Sequence, residues 1–88
     1  MRIKQFTNDN GKPVMNRFTI YDEKTETKYF QSYASTIVKI KDGKVTLGKN
    51  WKYSITTSKY RSMYLRESTK ETQAKLDSGE YLYDDTLI

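Results

Sequence analysis

Thr36-Ile37-Val38-Lys39-Ile40-Lys41-Asp42-Gly43-Lys44-Val45-Thr46-Leu47-Gly48 reads as a β-hairpin, and the rest of the chain is placed from it. Asp42-Gly43 lies between two alternating segments. A two-residue type I′ turn needs positive φ at both central positions, and Asp-Gly supplies both cheaply. That turn sets the register: Lys41 opposite Lys44, Ile40 opposite Val45, Lys39 opposite Thr46, and Val38 opposite Leu47. Side chains alternate across a strand, so Val38, Ile40, Val45 and Leu47 share a core face. Lys39, Lys41, Lys44 and Thr46 share the opposite face.

Toward the N-terminus the chain is β-prone. Arg2–Thr7 alternates weakly, with Ile3 and Phe6 as its apolar content. Asn8-Asp9-Asn10-Gly11 is a turn cluster. Val14–Tyr21 alternates better, which predicts Val14, Asn16, Phe18 and Ile20 on one face and Met15, Arg17, Thr19 and Tyr21 on the other. Thr27–Tyr33 predicts another strand, with Tyr29 and Tyr33 on one side and Phe30 on the other. Toward the C-terminus, Trp51 and Tyr53 fall in a loop, and Ser54–Thr57 offers several N-caps. A helix from about residue 57 to 66 places Tyr60, Met63 and Tyr64 on one stripe as core. Ser68-Thr69-Lys70-Glu71 matches a capping box and opens a second helix that stops at Gly79. Glu80–Tyr83 can add a last strand.

These elements predict an α+β fold: an antiparallel sheet of about four or five strands with two short C-terminal helices packed on it. The 88 residues form one domain, β-rich over 1–48, helical over 54–79, with a frayed acidic tail at 84–88. A chain of this length buries only about 60–65% of its unfolded surface, so its core is small.

The chain has no Cys and no His. That removes thiolate nucleophiles, thiolate zinc sites and imidazole bases. The acids come as neighbours in turns or tails, Asp22-Glu23 and Asp84-Asp85, and no glycine-rich phosphate loop is present. The expectation is a non-enzymatic protein with no catalytic residues, no metal and no cofactor. No apolar run approaches the roughly 20 residues that span a bilayer, so no membrane partner is expected. The start lacks the long apolar segment of a secretory signal.

Sixteen Lys and Arg stand against eleven Asp and Glu, a net charge of +5, and eight of the residues are Tyr. The charge is uneven. Lys39–Lys70 holds nine basic residues and two acids, whereas residues 71–88 hold one base and five acids. A positive field attracts nucleic acid or an acidic protein face, although it also serves solubility. Lys39, Lys41 and Lys44 on one strand face suit phosphates, or else keep an edge hairpin soluble. Lys49-Asn50-Trp51-Lys52-Tyr53 interleaves base and ring, so Trp51 and Tyr53 are candidate stackers with Lys49 and Lys52 beside them; the alternative is that both rings close the core. Lys59, Arg61 and Arg66 on the first helix complete the candidate binding set.

Trp51-Lys52-Tyr53-Ser54-Ile55-Thr56-Thr57-Ser58-Lys59-Tyr60-Arg61, followed by Tyr64-Leu65, gives W-x-Y-S-x-T-T-x-K-Y-R-x-x-Y-L. With flanking residues over roughly 30–81, it resembles a family of small phage and prophage proteins of Gram-positive bacteria. The resemblance carries no residue roles. It implies a niche: an accessory protein, cytoplasmic in an infected host. Small phage proteins often act by binding, so the leading expectation is an anti-defence inhibitor of a host nucleic-acid-handling machine, with an anti-CRISPR-like block of a CRISPR nuclease as its most specific form. Its partner would be a host protein or ribonucleoprotein. The alternative is direct DNA or RNA binding through the basic hairpin and helix. A structural or assembly factor would need a self-complementary edge or patch.

Overall fold

A computed structural model describes residues 1–87. The strands are β1 (Arg2–Thr7), β2 (Pro13–Asp22), β3 (Thr27–Ser32), β4 (Ser35–Lys41) and β5 (Lys44–Leu47). They are followed by helices α1 (Ile55–Leu65) and α2 (Thr69–Asp77), and by a short strand β6 (Leu82–Tyr83). The fold is α+β. Among the described residues the sheet has six strands in sequence order, β1 to β6. The first five pair antiparallel; β6 runs parallel to β5 after the two helices have crossed over.

The hairpin has the register that its turn dictates. Asp42 and Gly43 have φ of 53° and 74°, and Lys41 faces Lys44. Val38 and Leu47 are fully buried, with Ile40 and Val45 packed beside them. The chain leaves β5 through Gly48, whose amide donates to the Ile37 carbonyl at 2.9 Å. A Cβ at Gly48 would collide with the Thr36 carbonyl oxygen, so only glycine allows this approach.

Strand β2 departs from simple alternation. Asn16 adopts φ 62°, and β1 and β2 lose register between Gln5 and Thr7. Val14 is therefore in the core, but Phe18 and Ile20, expected beside it, lie on the other side of the sheet. Arg17, Thr19 and Tyr21 take the helix side instead. The irregularity resets the parity by one residue, which inverts every later side chain. A second shift between Phe30 and Gln31, opposite β4, lets Ile37 and Val38 both be buried although they are neighbours in sequence.

Rings build much of the core because Leu and Ile are scarce. Phe30 is fully buried at the centre. Phe6 meets it edge-on at 5.1 Å, and Tyr64 of α1 stacks on it at 5.1 Å. Burying a Phe contributes about 1.5–3 kcal/mol. Helix α1 starts two residues earlier than its aromatic stripe suggests, because Ser54 accepts the Thr57 amide at 3.0 Å and caps it. Helix α2 carries the expected capping box between Ser68 and Glu71.

Glu67 ties the end of the chain down. Its carboxylate accepts from Lys75 Nζ at 2.8 Å, Thr72 Oγ1 at 2.5 Å and Tyr81 Oη at 2.7 Å. Burial pushes this carboxyl upward, but the three donors outweigh it and hold Glu67 below the usual carboxylate range. Tyr81 is thereby fixed in the core and delivers β6 to β5. Within the stretch expected to be frayed, Asp84 and Thr86 make hydrogen bonds. The Asp84 amide donates to the Leu47 carbonyl at 2.9 Å, and Thr86 donates to the Asp84 carboxylate. The expectation for Ile88 lies outside the described residues.

Candidate functional site

Among the described residues both helices pack on the core side of the sheet, and neither covers the other side. One row of paired residues runs across all six strands on that open face: Ile3, Ile20, Tyr29, Lys39, Thr46 and Leu82. The next row is Gln5, Phe18, Gln31 and Thr36. A third, at the hairpin end, is Asp22, Thr27, Lys41 and Lys44. None of Ile3, Phe18, Ile20 or Tyr29 belongs to the core cluster, and Ile3 is 66% exposed.

The face is thus divided. Strands β1 to β3 supply apolar and aromatic groups, and β4 and β5 supply lysines. Lys39, Lys41 and Lys44 make no ion pair among the described residues. Three like charges on adjacent strand positions repel one another and favour an anion between them. Asp84 lies within electrostatic reach: hydrogen bonds from Thr86 hold its carboxyl low, and Lys39 lowers it further. The acidic tail therefore borders the basic end of the face.

The remaining candidate residues divide between surface and interior. Lys49, Lys52, Lys59 and Arg66 are exposed, but around the helices rather than on the open face. Lys52 donates to Gln73 Oε1 at 3.2 Å and lies over the Trp51 ring; Lys59 lies over Tyr60. Tyr53 is 80% exposed beside the N-terminus of α1. Two candidates are corrected. Trp51 is only 5% exposed and belongs to the core, so it presents no free face to a base. Arg61 is completely buried. Its guanidinium donates to the Trp51 carbonyl at 2.6 Å, Thr69 Oγ1 at 2.7 Å and Ser62 Oγ at 3.2 Å, and packs 4.9 Å from the Trp51 ring. Burial lowers its pKa, and Glu67 opposes that shift. Arg61 is a structural cation joining the Trp51 loop, α1 and the start of α2.

Sequence reasoning placed Tyr29 opposite Phe30, as observed, but missed Phe18 as a half-buried ring on the open face, because β2 parity could not be carried through Asn16. It also missed a groove of about 660 Å³ on the helix side of β1–β3, lined by Arg2, Lys4, Tyr21, Lys28 and Tyr64. There the charge is partly answered: Glu23 binds Arg2 Nε at 3.1 Å and the terminal ammonium at 2.6 Å. Among the described residues no group of three His, Cys, Asp or Glu side chains gathers to hold a metal ion. No described helix is long and apolar enough to cross a membrane.

Compared with known proteins, residues 1–80 match the model of a family of unknown function, DUF8033. That span takes in β1 and β2 as well as the hairpin and helices. Neither the curated proteins nor the solved structures contain a match.

Proposed function

The chain belongs to the DUF8033 family, and we propose that it is a binding module for single-stranded nucleic acid rather than an enzyme. The observation that carries this reading is the row Ile3–Ile20–Tyr29–Lys39 on a sheet face that no helix covers. An open sheet with central rings is a platform for unstacked bases, and flanking cations track the phosphates. Tyr29 and Phe18 sit on the central strands. Lys39, Lys41 and Lys44 lie to one side, where a backbone leaving the rings would run.

The test is fluorescence-anisotropy titration of labelled single- and double-stranded oligonucleotides at about 50–200 mM salt. Single strands should bind more tightly than duplex, with affinity falling steeply as salt rises. Tyr29→Ala should weaken binding by about 1–3 kcal/mol at every salt concentration. The triple change of Lys39, Lys41 and Lys44 to Glu should abolish binding and flatten the salt slope. Absence of single-strand binding at the lowest salt would sink the proposal.

A second reading keeps the expectation of an anti-defence inhibitor acting on a host nucleic-acid machine, a CRISPR nuclease being the most specific form. It is favoured by the apolar half of the same face, since an exposed apolar patch also suits a protein partner. The two readings part on the lysine triple variant. A protein docked on Ile3, Phe18 and Ile20 would survive that change in an affinity pull-down, whereas a nucleic acid would not.

A further inference from the structure

On the side of the sheet opposite that face, a cleft of about 500 Å³ opens between the ends of β2–β4 and the start of α1. Its wall includes Arg17, Ser35, Asn50, Tyr53, Thr56 and Thr57, and no acidic residue lines it. Arg17 is 7% exposed. Its Nε donates to Ser32 Oγ at 3.1 Å, and its Nη1 makes a long contact of 3.4 Å to the Met15 carbonyl. The guanidinium carbon lies 4.9 Å from the Tyr33 ring centre and 5.3 Å from that of Tyr60. Among the described residues Arg17 has no ion pair, and its Nη2 makes no hydrogen bond.

That arrangement is unbalanced. The Arg17 side chain is largely buried, the two rings and two neutral oxygens around it supply no negative charge, and its Nη2 keeps contact with solvent. Arg61, the other buried arginine, has Glu67 nearby; Arg17 has no such neighbour in its cleft. The N-terminus of α1 adds to the same excess. Ser54 satisfies the Thr57 amide, but the amides of Ile55 and Thr56 have no intrahelical acceptor. The first turn of α1 carries no acidic side chain, so nothing offsets the positive end of its dipole. Arg17, Ser35, Thr56 and Thr57 line the same cleft, where Ser35 Oγ accepts from Asn50 Nδ2 at 3.0 Å.

We propose that this cleft is a binding site for a phosphate monoester or inorganic phosphate. A phosphate has several equivalent acceptor oxygens, which suits donors converging from a guanidinium and a helix N-terminus. The site is independent of the open sheet face and stands or falls apart from it.

The experiment is an NMR titration of the full chain with inorganic phosphate against sodium chloride at matched ionic strength. Phosphate should produce saturable amide shifts at Asn50 and Ser54–Thr57, a shift at Arg17 Nε, and a higher melting temperature than chloride gives. Arg17→Met should weaken binding at least about tenfold, as expected for loss of a charge-assisted hydrogen bond. Should Arg17→Met fail to fold, Thr56→Glu answers the same question, because Thr56 is exposed and the new carboxylate would occupy the site and exclude phosphate. Equal effects of phosphate and chloride, or unchanged phosphate binding in a folded Arg17→Met or Thr56→Glu protein, would overturn the proposal. The Lys39, Lys41 and Lys44 to Glu variant should bind phosphate in the cleft as the parent does; loss of those shifts would also count against an independent site. A 5′-phosphorylated trinucleotide and its 5′-hydroxyl counterpart separate the sources. Tighter binding of the first assigns the phosphate to a nucleic-acid end. Equal binding of the two, with inorganic phosphate still bound, assigns it to a small molecule; either result supports the cleft.

Discussion

Arg61 and Lys39 show how little a residue's charge says about where it acts. Both are basic residues within the strongly positive half of the sequence. Lys39 faces outward on the sheet; Arg61 has no exposed surface and bonds to Trp51, Ser62 and Thr69. Its Nε is buried without a partner. The guanidinium therefore contributes through its other donors and through packing on Trp51, not through its field at the surface. Arg61→Met keeps most of the stem but leaves the Trp51 carbonyl without its donor. It should destabilise the fold by about 3 kcal/mol in urea denaturation. Nucleic-acid affinity, measured where the variant remains folded, should be nearly unchanged.

The β4–β5 hairpin is the element most completely specified by local chemistry. Both turn residues have positive φ, and four cross-strand pairs follow from them. Gly43→Ala should cost about 1–2 kcal/mol, because the left-handed conformation is strained for any residue with a Cβ. Gly48→Ala should cost more, since its Cβ would meet backbone rather than open space. At α2, Ser68→Ala removes the hydroxyl that accepts the Glu71 amide and should cost about 1 kcal/mol. Thermal denaturation of the three variants tests the ranking: Gly48→Ala lowest, the other two close together. Strand β2 is the contrasting case. Its apolar alternation is clear in the sequence, yet Asn16 turns it over halfway, so the faces of Phe18 and Arg17 were legible only up to Val14.

Across the whole molecule, Glu67 links α2, Tyr81 and the approach to β6, and its titration should be visible in global stability. Its carboxyl is held below the ordinary range in the fold. The unfolded chain therefore takes up this proton first as pH falls. Glu67 contributes its full stabilisation above about pH 5, and loses it progressively as pH drops through the ordinary value to the folded one. Melting temperature should fall between about pH 5 and pH 3, and Glu67→Gln should show a shallower fall over that range. Disagreement in that comparison would mean that other carboxylates dominate acid unfolding. Charge is also organised at this scale. The parallel β5–β6 pairing brings the acidic end of the chain beside Lys39, so the strongest basic patch is bordered by acid rather than isolated.

Much of the architecture was present in the sequence. The hairpin register, the capping box on α2, the helical pair and the outward lysines all follow from contacts between residues close in the chain, where turn chemistry and periodicity act directly. The two-sided division of the sheet, the burial of Trp51 and Arg61, and the meeting of Arg17 with the start of α1 depend on segments far apart in the chain. Those were decided only in the tertiary structure. A single left-handed residue at Asn16 redirects the strand, and the helices then cover one face and leave the other bare. No local pattern encodes which face that is, because covering it requires α1 and α2 to return across the sheet and pack there.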